Sequence, residues 1–599
     1  MDLLKELSLK GKLVFVVIHQ PSSNIFKLFD RLLILDQGGY PIYDGIPLNA
    51  VVYFKTLSFQ GNPHERECNL CGNVNPEQIF NIIDAKIVDE FGVETLTRKK
   101  SPEDWYKLYI KHKHKYDVKT VQGPPSSRVH LPSAFSQFIT YITRDVLSKK
   151  SNRQYMLING FVAPILALVL SFFIKYSGWI NGVESYSYYQ NENIPQYIFI
   201  AVIVSIFLGL TVSAEEINKD KKILAREEFL NLSRSSFLLS KVLILFTISA
   251  IQASLFVIIG NSIMEINGMW FEYWMILFST ACLSNLMGLN ISSAFNSAKV
   301  IYIIIPLFII PQLLFSGVIV KFDKLHPSLS NATKVPWIGN LMVARWAYEG
   351  LSVEQASQND LETCFLGYKI AKNESEWKKD YWLPEMKRQI NILLDKDVSK
   401  KNEASANKIL SNEIAKEDGL WKNLNCTDCI EDLDSKPMNT IESFKEIDKF
   451  LYRIHLQCVK TINDNSELIN TAIDSIGVNS FKKQQAQFDN EALIKIVTNR
   501  TETNKLIIAN DKIYQNDTPI YNIDNESSFF ETHYYAPYKS LFGSSVKTFK
   551  ANLIIIWIIS LLTYIVLYFD ILKKLIDRII RGFEFLKIKW KSKGTTRRQ

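Results

Sequence analysis

The sequence predicts a mainly α-helical membrane protein, with six transmembrane helices, a short α/β segment ahead of them and a large helical insertion before the last. Three observations carry this. Apolar runs of about 20 residues recur, each long enough to cross the roughly 30 Å hydrocarbon core as a helix. Basic loops punctuate the runs. A polar stretch near 351–548 stands apart, rich in Asn, Lys, Asp and Glu. Averages of 47% hydrophobic and 22% charged over 599 residues conceal this split. With 24 Gly, 19 Pro and 7 Cys, collagen-like, mucin-like and small disulfide-scaffold classes are excluded. The net charge of +8 is modest and concentrated in loops and tail, so it reads as membrane topology; no nucleic-acid partner is expected.

The six spans fall at about 155–174, 195–214, 237–260, 271–295, 300–320 and 549–569. Residues 1–6 lack a basic region followed by an apolar one, so no signal peptide is expected. Lys and Arg in short loops set orientation. The loop after the second span carries Lys219, Lys221, Lys222, Arg226, Arg234 and Lys241, and the approach to the first carries Arg144, Lys149, Lys150 and Arg153. The tail beyond the sixth has ten basic residues from Lys573 to Arg598. The loop 176–194 has none. Both termini are therefore expected in the cytosol of a plasma or inner membrane, with about 321–548 outside. Four cysteines then face the oxidising side, Cys364, Cys426, Cys429 and Cys458, and admit three disulfide pairings.

At the N-terminal end, residues 12–18 (Lys-Leu-Val-Phe-Val-Val-Ile) form a nearly continuous apolar run, which predicts a strand buried on both faces of a parallel sheet. His19-Gln20-Pro21-Ser22-Ser23 follows where open α/β sheets place their ligand chemistry. Residues 24–29 read as a helical turn, 32–35 as a second strand, Gln37-Gly38-Gly39 as a hairpin turn, and 40–43 as a third strand running to Gly45. The run from Ile18 to Asp30, with Leu32-Leu33-Ile34-Leu35 and Tyr43-Asp44-Gly45, resembles the end of the ATPase domain of white-type (G-subfamily) ABC half-transporters. The resemblance implies that His19 is the switch histidine at the ATP γ-phosphate, with Gln20 beside it.

The departures matter equally. No Gly-x-x-x-x-Gly-Lys-Ser/Thr, no Leu-Ser-Gly-Gly signature and no apolar strand ending in Asp-Glu precede His19. Phosphate cradling needs those amides, that Lys and a Mg²⁺ ligand, so this chain alone is expected not to hydrolyse ATP. ATP and Mg²⁺ are cofactors expected only of a complete transporter. Either the chain is a piece of a larger transporter, the favoured expectation, or it is a subunit relying on another ATPase. Asn75-Pro76-Glu77 after Cys68 and Cys71 resembles the family's link to the membrane helices. His64, Cys68 and Cys71, with His112 or His114, have some zinc-ligand character, but no second Cys-x-x-Cys follows and no metal is expected.

After the second span, the 220–227 segment Asp-Lys-Lys-Ile-Leu-Ala-Arg-Glu matches the spacing of the family's Glu-Arg-x-x-x-x-Arg-Glu. The resemblance implies a coupling helix, with Asp220, Lys221, Arg226 and Glu227 docking on the ATPase. Phe315-Ser316-Gly317, Pro336-Trp337 and Arg345-Trp346-Ala347-Tyr348-Glu349-Gly350-Leu351 resemble the family's re-entrant hairpin after the fifth span. The insertion contains helical stretches such as 383–394 and 440–458 and no catalytic constellation.

The expected organisation is therefore 1–60, the C-terminal end of an ABC ATPase domain; 61–134, a cytosolic linker; 135–350, five helices with the coupling and re-entrant segments of an ABC-2/G-type transmembrane domain; 351–548, a helical extracytoplasmic domain; 549–570, the sixth helix; and 571–599, a basic tail. The spans hold few ionisable residues, which disfavours an ion-coupled carrier. The resemblance implies export of lipid-like or amphipathic cargo by two such halves, as a homo- or heterodimer in contact with membrane lipids. The alternative is a non-transporting scaffold or truncated permease whose outer domain binds a partner.

Overall fold

The computed structural model describes residues 1–19, 21–59, 76–90, 92–112, 132–180, 183–227, 232–330, 333–395, 399–417, 441–523, 529–541 and 543–582. The chain divides into two units, Met1–Val129 and His130–Gln599.

In the first unit, α1 (Asp2–Leu9) and α2 (Ser23–Lys27) precede a hairpin of β1 (Leu32–Asp36) and β2 (Tyr40–Gly45). Gly38 and Gly39 both take positive φ (82° and 78°), the backbone that a tight hairpin needs. Then come α3 (Pro47–Leu57), α4 (Glu77–Ile83), the pair β3 (Lys86–Val88) and β4 (Glu94–Arg98), and α5 (Pro102–His112). Phe26, Ile42, Phe54, Ile79 and Trp105 form the core. The helical turn and hairpin stand where the sequence puts them. The buried strand at 12–18 does not form. The segment runs extended with no ladder partner among the described residues, and Leu13, Phe15 and Val17 are 84, 88 and 93% exposed. A strand covered on both faces needs neighbours on both sides, and the described residues supply none.

The second unit opens with α6 (Ala134–Ser151), α7 (Arg153–Ile174), the pair β5 (Ser177–Ile180) and β6 (Val183–Tyr186), and α8 (Ile194–Ser213). Next are α9 (Glu216–Glu227), α10 (Arg234–Met264), α11 (Trp270–Ala294) and α12 (Ala298–Leu314). Ser133 and Asn152 cap α6 and α7 by accepting amides of their first turns. Among the described residues, five helices are long and apolar enough to cross a membrane: α7, α8, α10, α11 and Thr548–Tyr568 near the chain's end. The fifth expected span differs. α12 has 17 residues, about 25 Å at 1.5 Å per residue. It carries Pro306 and Pro311, and the chain turns at Gly317 (φ 81°), where any Cβ would strike the Phe322 ring. Phe322 also fills the space beside Gly339. The turn consumes residues that the sequence pattern assigns to a span.

α13 (Trp337–Asn340) and α14 (Val343–Ser357) lead into the insertion, built from α15 (Leu366–Trp377), a π-helical turn at Lys378–Trp382, α16 (Leu383–Leu394), α17 (Lys400–Lys416), α18 (Ile441–Ile476), α19 (Val478–Phe488) and α20 (Glu491–Val497). Two hairpins follow, β7 (Leu506–Ala509) with β8 (Lys512–Gln515), and β9 (Tyr538–Leu541) with β10 (Ser544–Lys547). The chain then enters α21 (Thr548–Tyr568). The insertion has its own core of Trp377, Trp382, Met386, Leu410, Phe444, Phe450 and Leu451. α18 extends well past the expected helix end because its amphipathic pattern continues to Ile476. Cys364 and Cys458 are free, the first exposed and the second buried, so no bond joins them. Cys426 and Cys429 lie outside the described residues, as do His64, Cys68, Cys71 and His114.

Between spans, small residues set the spacing. A Cβ on Gly209 of α8 would stand 2.6 Å from the Ala281 carbonyl oxygen of α11, and one on Gly288 would collide with Ser213 Oγ. α8 and α11 therefore cross with backbones nearly touching, the close approach that stabilises helix pairs in lipid. Buried polar groups find partners across helices: Ser205 Oγ donates to Leu277 O at 2.6 Å, and Asn285 Nδ2 to Ser249 Oγ at 2.8 Å.

Candidate coupling site

Below the α8–α11 crossing, α6, α9 and α10 converge on five charged side chains. Lys241, two turns into α10 and only 4% exposed, is the centre. Its Nζ lies 2.8 Å from Asp145 Oδ1, 2.8 Å from Asp220 Oδ2 and 3.3 Å from Glu216 Oε2. Lys149 Nζ lies 2.6 Å from Glu216 Oε2 and 3.0 Å from Asp145 Oδ2. A lysine within an apolar helix demands counter-ions, and Asp145 of α6 with Glu216 and Asp220 of α9 supplies them. Burial pushes the Asp145 carboxyl up, but Lys241 and then Lys149 outweigh it and hold it below its ordinary range.

The α11 terminus fixes α9 from a second side. Ser292 Oγ accepts the Ile217 and Asn218 amides at 3.1 and 3.0 Å, satisfying donors that a helix start leaves open. Lys221 Nζ donates to Phe295 O and Asn296 Oδ1, each at 2.8 Å, capping the end of α11 with a cation. Lys222 and Ile223 remain on the exposed face. α9 is thus a short helix clamped to three others and presenting a mixed basic and apolar surface outward.

This redistributes the sequence-predicted residues. Asp220 pairs with Lys241, and Lys221 caps the end of α11, both side chains remaining partly exposed. Arg226 and Glu227 close α9, and their side chains lie outside the described residues. Asp145, Lys149, Glu216 and Lys241 belong to the site yet do not stand out as site residues in the sequence. The readable signals were the i,i+4 pair Asp145/Lys149 and a lysine seven residues inside an apolar helix. His19 is exposed in the first unit, and Gln20 lies outside the described residues. No Gly-x-x-x-x-Gly-Lys-Ser/Thr motif accompanies His19 in this sequence, so the other phosphate ligands of a nucleotide site would have to come from elsewhere in a complete transporter.

A second ionic cluster lies at α14. Glu349 Oε2 accepts from Lys539 Nζ at 2.5 Å and from Asn552 Nδ2 at 2.8 Å, while Oε1 accepts the Tyr535 amide at 3.2 Å. Arg345 Nη2 is 3.5 Å from the same carboxylate, and its guanidinium stacks 3.8 Å from the Trp346 ring centre. All three charged groups are essentially without solvent.

Helices long and apolar enough to cross a membrane are thus joined at one end by a clamped amphipathic helix. Residues 136–355, which hold all five charged residues gathered around Lys241, match the family of the ABC-2 type transporter. The domain is homologous to those of the white protein and the ABC transporter G family. The chain is 24% identical to the protein white of Drosophila melanogaster over 363 residues, 59% of this chain and 50% of that protein. It is 23% identical to ABC transporter G family member 42 of Arabidopsis thaliana over 404 residues, 64% of this chain and 27% of that one. Against G family member 22 of the same plant it is 35% identical over 106 residues, 17% and 14% of the respective chains. The chain thus spans half or less of the length of these relatives.

Proposed function

We propose that the chain is the membrane-spanning part of an ATP-driven exporter of lipid-like or amphipathic cargo, in which α9 transmits the closure of an ATPase domain to the spans. The observation carrying this reading is the double anchorage of α9, by salt bridges to α6 and α10 and by caps on α11. A helix serving only as a positive-inside loop would not need it. In this reading both termini are cytosolic, α12 completes six crossings, residues 351–548 face outward, and two halves enclose one pathway. ATP and Mg²⁺ bind at residues supplied with the rest of a complete transporter, with His19 facing the γ-phosphate.

The experiment supplies a white-type ATPase domain, fused or in trans, and compares wild type with Lys222→Glu/Ile223→Asp and with Arg226→Glu/Glu227→Arg in vesicles. Both double variants are expected to insert and fold, to keep basal ATPase, and to lose cargo-stimulated ATPase and transport at least tenfold. Unchanged stimulation removes the coupling role. The outer core favours one second reading, a scaffold whose insertion binds a partner. Vesicles showing no ATPase-dependent cargo movement with any white-type domain would favour it.

A further inference from the structure

The chain continues helically past the last span. α21 ends at Tyr568, Asp570 takes a left-handed φ of 50°, and a new helix, α22, runs over 571–582, its first bond from the Lys574 amide to Asp570 O at 2.9 Å. Asp570 fixes where α22 starts. Its Oδ2 pairs with Arg234 Nη2 at 2.5 Å, and its Oδ1 accepts from Ser293 Oγ at 2.9 Å. Arg234 is the first residue of α10, and Ser293 lies in the last turn of α11. α22 therefore begins at the level where two spans meet water.

At 100° per residue, Ile571, Leu572, Leu575, Ile576, Ile579 and Ile580 fill about half of the helix circumference. Lys573, Lys574, Asp577, Arg578 and Arg581 fill the other half, four cations against one anion. The apolar side is not folded onto the protein, with Leu575, Ile579 and Ile580 each about half exposed or more. An apolar half that begins at a bilayer boundary and is backed by basic side chains matches a helix lying in an anionic lipid interface. We infer that residues 571–582 lie in the membrane interface and gather anionic phospholipid head groups at the base of the transport domain. Lys573, Asp570 and Asp577 all lie within electrostatic reach of Lys221, so those head groups would sit beside α9. The inference requires a membrane-spanning chain but not transport, so it can fail while the proposed function stands.

The test places a solvatochromic amino acid at position 579 of the full chain, reconstituted in nanodiscs of phosphatidylcholine alone or with about one third phosphatidylglycerol. Emission and quenching by neutral acrylamide are read. Expected are blue-shifted emission and a several-fold lower quenching constant with phosphatidylglycerol, both reversed by high salt. In Lys573→Gln/Lys574→Gln/Arg578→Gln/Arg581→Gln, the lipid-charge dependence is expected to vanish while the melting temperature holds. Should that variant fail to fold, the lipid and salt dependence of the wild type still decides. A probe quenched freely in both lipids overturns the inference. So does shielding indifferent to lipid charge, or shielding that requires two copies per disc, which would mark a protein contact.

Discussion

The two ionic clusters are built from the same side-chain types and differ in what they fasten. The cluster at Lys241 joins three helices within about 100 residues of chain, sets two lysines against three carboxylates, and keeps a partly wet edge at Asp220, 22% exposed. The cluster at Glu349 joins α14 to β9 and α21 across some 190 residues, sets two cations against one carboxylate, and is dry. A wet edge lets partners exchange with water as helices shift, which suits a joint that moves. A dry cluster has no such alternative, which suits a weld between the two ends of the insertion.

The largest effect should come from breaking the weld. Glu349→Gln leaves Arg345 and Lys539 buried without their carboxylate and is expected to cost about 3–5 kcal/mol, read as lost yield and a lower melting temperature. Lys539→Met should cost much less, because it removes the surplus cation. Burial, then Arg345, pushes Lys539 down to about 7 against the pull of Glu349. With the folded value below the unfolded one, folding releases a proton between pH 7 and 10, so this group makes stability rise with pH across that window. Lys539→Met should flatten the slope. An unchanged slope would show that Lys539 stays charged.

Lys241→Met in the wetter cluster ranks second. It leaves three carboxylates facing Lys149 alone, but water at Asp220 softens the loss to about 2–3 kcal/mol. Lys222→Ala, on the exposed face of the same α9, should change the melting temperature little, within about 0.5 kcal/mol. Equal effects from the two would erase the distinction between anchor and outward surface. The third is steric. Gly209→Ala puts a methyl against the Ala281 carbonyl, backbone that cannot swing aside, and should cost about 1–3 kcal/mol with no change in charge.

Legibility followed the range of the interactions. Hydropathy placed α7, α8, α10, α11 and α21 within a few residues, because a span is a property of consecutive side chains. The hairpin at Gln37-Gly38-Gly39 was legible for the same reason. α12 came out short because the turn at Gly317 depends on Phe322 and Gly339, which periodicity does not see. The segment 12–18 carried a strand's composition without the neighbours that make a strand. In the candidate site, helical spacing was legible over α9 but not the direction of its side chains. Asp220 and Lys221 became anchors only because Lys241 and the α11 terminus converge on them from distant positions. The Lys539–Glu349 pair, 190 residues apart, left no local trace.

The smallest expected effect has the opposite sign and tests whether the insertion's seam is a weld or a joint. Asp489, between α19 and α20, is 2% exposed, lies within electrostatic reach of the Glu362 carboxylate and leaves its Oδ2 buried without a hydrogen-bond partner. Asn359 Nδ2 donates to Asp489 Oδ1 at 3.1 Å, and Lys369 Nζ pairs with Glu362 at 2.5 Å. Burial first, then Glu362, raises Asp489 to about 6. Its folded value exceeds the unfolded one, so the stability it contributes is full below about pH 4 and is lost as pH rises through 6. Asp489→Asn keeps an oxygen for Asn359 and offers Glu362 an amide hydrogen that does not titrate. The variant should therefore melt higher than wild type at pH 7.5, by about 1–2 kcal/mol, and converge with it as pH falls toward 4. A variant less stable at pH 7.5 would mean that Glu362 and the ionised Asp489 are already reconciled by Lys369, and the seam would then resemble the wet cluster at Lys241 more than the dry one at Glu349.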